Sequence, residues 1–95
     1  MNRKAFRTNA RKVLYFIYII GGVHNFIDIG TLKGEFIFIK SDSEFKKIIN
    51  YLLNKYYLTN KENSDNVKLS YKGYRFISHF MTHTAKKGLK YKGFT

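Results

Sequence analysis

Residues 45–77 read FKKIINYLLNKYYLTNKENSDNVKLSYKGYRFI, and this run decides the fold. Apolar residues recur at Phe45, Ile48, Ile49, Leu52, Leu53 and Tyr56, the i, i+3, i+4, i+7 spacing of a helix with one buried face. Tyr57-Leu58-Thr59 then predicts a short strand, and Val67-Lys68-Leu69 a second. Between them Asn60 to Asn66 is polar, and its Asn, Asp and Ser tolerate the backbone of a hairpin tip. Ser70-Tyr71-Lys72-Gly73 opens the next helix. The order is therefore helix, β-hairpin, helix.

Working outward, Ser41-x-x-Glu44 has the capping-box pattern, so the first of these helices starts there and runs to about Lys55. At 100° per residue, Ser43, Lys47, Asn50, Tyr51 and Asn54 fall opposite its apolar face, with Lys46 on the flank. The last helix is expected from Tyr71 to Lys87, with Tyr74, Ile77, Phe80 and Met81 facing inward and Gly88 as C-cap. Upstream, residues 1–8 form a basic arm that can continue into the first helix. Asn9 suits the N-cap of a helix from Ala10 to Ile20. Ala10, Val13, Leu14, Ile17 and Ile20 share one face of it, while Tyr15, Phe16, Tyr18 and Ile19 make it apolar almost all round. Such a helix is central in its domain. Gly21-Gly22 ends it. Asn25 can then cap a short helix, Phe26 to Leu32, with Asp28 in its first turn. Glu35-Phe36-Ile37-Phe38-Ile39 reads as a strand.

Tyr57-Leu58-Thr59 and Leu69-Ser70-x-Lys72-Gly73-x-x-Phe76-Ile77 carry a resemblance. They are similar to the hairpin and following helix of small winged-helix DNA-binding regulators of the broad MarR-like and PadR-like kind. The match covers about a third of the chain. It implies a mainly α fold with a small β-hairpin wing (α+β), a winged helix-turn-helix, as one domain over residues 1–95 with a basic tail at 88–95. Members of that family run from their second helix through a tight turn into the recognition helix. This sequence places the extended run 35–39 there.

Charge points the same way. The net charge is +12, from 18 basic and 6 acidic side chains, and the two ends supply the whole imbalance. Residues 1–12 carry Arg3, Lys4, Arg7, Arg11 and Lys12, and residues 66–95 carry Lys68, Lys72, Arg75, Lys86, Lys87, Lys90 and Lys92, with no acid in either segment. Like charges at this density repel unless a polyanion neutralises them, and nucleic acid gains affinity from the counterions it releases. Solubility alone, or attraction to anionic lipid, is the blander explanation.

The expected function is therefore duplex DNA binding, with single-stranded nucleic acid as the alternative. Arg3, Lys4, Arg7, Arg11, Lys12, Lys46, Lys47, Lys61, Lys68, Lys86, Lys87, Lys90 and Lys92 would sit on phosphate, and on the open helix face, which Ser43 shares as a DNA-binding residue, Asn50, Tyr51 and Asn54 would meet the bases. An ordinary solvated helix face uses the same residue types. The acids Glu62 and Asp65 make the hairpin tip a poorer DNA contact than its base. The resemblance also implies a homodimer through the last helix, using Phe76, Phe80, Tyr91 and Phe94. A third option is a protein-binding module on the same scaffold.

Other chemistries have little to stand on. The chain has no cysteine, so it offers no disulfide, thiolate metal site or thiol nucleophile. His79 and His83 stand at i, i+4, but Phe80 occupies the place of the glutamate in a His-Glu-x-x-His site. No glycine-rich phosphate loop or close carboxylate pair is present. A non-enzymatic protein without cofactor or metal is expected. The basic start and the apolar run Val13 to Val23 mimic a secretory signal, but His24-Asn25-Phe26 follows where small residues would mark cleavage. The uncharged run also falls short of the ~20 residues that span a membrane. A cytoplasmic protein without membrane contact is expected. The Lys-, Ile-, Asn- and Tyr-rich composition suggests a phage or mobile element with an AT-rich genome.

Overall fold

The capping signal at Ser41 forms as its chemistry requires. Ser41 Oγ accepts the amide of Glu44 at 3.1 Å, and the helix it opens runs over Asp42–Asn54. The computed structural model describes residues 3–36, 39, 41–62 and 64–86, the last six as backbone alone. Within these the order is α1 (Arg3–Ile19), β1 (Ile27–Asp28), α2 (Ile29–Lys33), α3 (Asp42–Asn54), β2 (Leu58–Asn60), β3 (Asn66–Leu69) and α4 (Tyr71–Lys86). The fold is mainly helical with a three-stranded antiparallel sheet, an α+β arrangement.

The strand order is β1-β3-β2. β3 is the middle strand, pairing Leu69 with Leu58 and Val67 with Asn60 on one side, and Val67 with Ile27 on the other. Leu69 N donates to Gly22 O at 2.8 Å, which ties the sheet to the turn after α1. That turn needs both its glycines. Gly21 has φ +93°, and a Cβ on Gly22 would sit 2.3 Å from Ile17 Cγ2.

α1 packs against α3, α4 and β3. Val13, Leu14 and Ile17 meet Phe45, Ile48 and Leu52 of α3, Val67 of β3 and Ile77 of α4 in one buried cluster. This central position agrees with the expectation for an almost wholly apolar helix, although Ile20 lies beyond the helix and is 41% exposed.

Four expectations are corrected. Asn9 is not an N-cap, because it lies inside α1, which already covers Arg3–Ile19. Arg and Lys are good helix formers, and residues 3–8 of the basic arm continue into the helix, as the sequence allowed. The short helix expected at 26–32 gives way to β1 and then α2. Asp28 is the cap, its Oδ2 accepting Thr31 N and Thr31 Oγ1, each at 3.1 Å. The expected strand at 35–39 is not one at Glu35, Phe36 or Ile39. The amides of these residues close successive turns on Leu32, Lys33 and Phe36 carbonyls, while Ile37 and Phe38 lie outside the described residues. Phe36 is 4% exposed, edge-on to Phe16 at 5.1 Å and stacked with Phe45 at 6.1 Å, so the core claims its ring. In α4, Tyr74 is 37% exposed, whereas Gly73 and Ile77 face inward.

Candidate nucleic-acid interface

The open face of α3 carries what the periodicity assigned to it, with one exception. Ser43, Lys46, Lys47, Asn50 and Asn54 are all exposed. Tyr51 is half-buried, because it lies on the flank that turns toward α1. Its ring meets Phe6 edge-on at 5.3 Å, with Lys55 Nζ 5.8 Å above it. Glu44 is half-buried on the same flank. Asp42, at the N-terminus of α3, is paired with Lys33, so the α2–α3 link is bridged by an exposed ion pair of little energetic weight.

At the hairpin, Lys61 is exposed where the tip begins, its amide bound to Asn66 O at 2.9 Å. Ser64 orders this tip through Lys61 O and Asn66 N, both at 3.2 Å. Lys68 is half-buried in β3, with its ammonium 5.0 Å from the Phe26 ring. Lys12 is exposed on α1. Lys86 is described only as backbone, and Lys87, Lys90, Lys92 and the rest of the basic tail lie outside the described residues.

The basic residues of α1 join an arrangement that no sequence window reveals. Arg3, Lys4, Arg7 and Arg11 line one hollow. Arg7 and Arg11 also line a second hollow between α1, α3 and α4, with Tyr51, Lys55, Tyr57 and Phe76. Tyr57 and Phe76 pass on into a groove along α4 with Tyr71, Lys72, Tyr74 and Arg75. The three hollows form one continuous strip, and no carboxylate lines any of them. Its cations stand against rings, both those in its lining and, at its margin, Phe80 and Tyr56. Arg11 stands 5.2 Å from the Phe80 ring, Lys72 5.3 Å from Tyr57 and 5.8 Å from Tyr56, and Arg75 5.9 Å from Tyr71. Lys55, Lys72, Arg75, Tyr56 and Tyr71 were not among the expected contacts. The signal was a basic residue beside an aromatic at the helix ends, but those aromatics read equally well as core.

Phe76 and Phe80, expected at a dimer seam, pack within the chain. Phe76 stacks on Tyr57 at 4.7 Å and on Phe80 at 6.5 Å, and both join the core cluster. Tyr91 and Phe94 lie outside the described residues. Among the described residues no three His, Asp or Glu side chains converge on a point that could hold a metal, and no helix is long and apolar enough to cross a membrane. Comparison with known proteins finds no matching family model, no similar curated protein and no similar solved structure.

Proposed function

We propose that the chain is a small winged-helix protein that binds duplex DNA by laying α3 in the major groove, as a transcriptional regulator or an accessory factor in replication or partition. One observation carries this reading. The open face of a 13-residue helix presents Lys46, Lys47, Asn50 and Asn54 to solvent, and the carboxylate at its N-terminal edge, Asp42, is paired with Lys33. Asn can bond bidentately to adenine in the major groove, and Lys can reach guanine or phosphate. Asn50 and Asn54 are one helical turn apart on the same line. The order α1-β1-α2-α3-β2-β3 supports the reading, since a strand before the helix pair closes the sheet beside the hairpin. In this pose the hairpin is the wing, and Lys61 where its tip begins and Lys68 along β3 sit on phosphate beside α3. The twelve excess positive charges supply affinity that does not depend on sequence.

The test is binding of a labelled duplex by the chain and by Lys47→Ala/Asn50→Ala. Loss of a good base contact costs about 1–3 kcal/mol, so affinity should fall roughly tenfold or more for a target sequence. An unchanged affinity would remove α3 from the interface and with it this function.

A further inference from the structure

The strip across α1, the α3–β2 corner and α4 is a surface apart from the open face of α3, and it holds an oddity. α3 ends in a Schellman motif, with Tyr56 N bound to Leu53 O at 3.0 Å and Tyr57 N to Leu52 O at 2.9 Å. The left-handed position of that motif normally belongs to glycine. Here it is Tyr56, at φ +63°. No burial offsets the strain, since Tyr56 is 73% exposed. Tyr71, 75% exposed at the start of α4, is the second aromatic that folding does not use. Lys72 lies over the first ring and Arg75 over the second.

We propose that this strip binds a single strand of nucleic acid, with unpaired bases stacking on Tyr56 and Tyr71 and the phosphates running along Lys72, Arg75, Lys55, Arg11 and Arg7. The argument is one of complementary chemistry. A groove that is positive throughout calls for a polyanion. Exposed rings flanked by cations call for flat partners, and every base has a π-face that stacks without regard to sequence. A duplex covers those faces by its own stacking, so the two tyrosines offer it nothing that lysines would not. An anionic membrane would satisfy the cations, but lying on a bilayer requires a broad apolar helix face to bury, whereas the most exposed rings here are single tyrosines, one at the end of α3 and one at the start of α4. The proposal stands independently of the α3 reading.

The experiment is fluorescence anisotropy on the full chain with a labelled oligothymidylate and a labelled duplex of equal length. Tyr56→Gly/Tyr71→Ala should weaken oligothymidylate binding about tenfold or more and leave duplex binding within about twofold. Its melting temperature should not fall, because glycine suits the left-handed position, so a loss of binding cannot be laid to unfolding. Asn50→Ala/Asn54→Ala should leave oligothymidylate binding intact. If the tyrosine variant holds oligothymidylate as tightly as the parent chain, the proposal fails. It fails equally if the parent ignores oligothymidylate and binds phosphatidylserine vesicles instead. If duplex binding is absent while tyrosine-dependent oligothymidylate binding remains, the α3 reading falls and this one stands.

Discussion

Ser70 and Gly73 show how two small residues fix the joint between the hairpin and the last helix. Ser70 Oγ donates to the Tyr56 carbonyl and accepts Gly73 N at 3.0 Å, and Ser70 N donates to Tyr57 O at 3.1 Å. One side chain thereby caps α4 and anchors it to the end of α3. Gly73 must then pass against Tyr57, where an added Cβ would lie 2.0 Å from the carbonyl oxygen. That oxygen belongs to backbone already held by Ser70, so it cannot move aside cheaply. Gly73→Ala should therefore destabilise the fold by about 1–3 kcal/mol or more, even though alanine is the better helix former. Urea unfolding checks this, and a stability equal to that of the parent would show that α4 can shift on its seat. The sequence displayed Leu69-Ser70-x-x-Gly73 as a family-like motif, and the structure supplies its physical reason.

At the scale of elements, legibility followed burial. α3, the hairpin and α4 were readable because each has one apolar face or a clear turn, and Ser41 marked a boundary through its own hydrogen bond. Replacing Ser41 by alanine should cost about 1 kcal/mol, measured as a lowered urea midpoint with unchanged slope, and no loss would mean that Asp42 or water takes over the cap. Residues 27–28 were not readable, since two residues carry no period and their strand exists only because β3 arrives beside them. Residues 35–36 misled because Phe36 has strand-like propensity but is drawn into the core between Phe16 and Phe45. The open face of α3 followed from helix geometry, with Tyr51 the exception on a flank that only the position of α1 decides. The basic-aromatic strip could not be read, because Arg11, Lys55, Lys72 and Arg75 meet only through the packing of three helices. α1 pays no heed to its own dipole, since Arg3, Lys4 and Arg7 crowd its positive N-terminal end with no acid in the first turn. Arg3, Arg7 and Arg11 also repeat at i, i+4, a spacing that repels.

For the whole molecule this self-repulsion has a measurable consequence. Salt should stabilise the protein while it weakens its hold on nucleic acid. Raising sodium chloride from about 50 mM to about 500 mM shortens the screening length from roughly 14 Å to roughly 4 Å. The melting temperature should rise by a few degrees, equivalent to roughly 1 kcal/mol, and circular dichroism would record it. A flat or falling melting temperature would mean that the +12 charge does not strain the fold. The middle strand has a consequence of another kind, concerning the order of events during synthesis. β3, the last along the chain of the described strands, is the one the other two pair with, and Leu69 also reaches back to Gly22. No part of this sheet can form until residue 69 has been made, which at ~5–20 residues per second is roughly 2–8 s after the end of β1 at residue 28. Throughout that interval the part of α1 that packs on β3 and α4 waits without its cover, α3 alone being in place. The nascent chain is thus at its stickiest just before β3 is made, and the positive charges massed in residues 1–12 keep neighbouring copies apart until that strand closes onto the core.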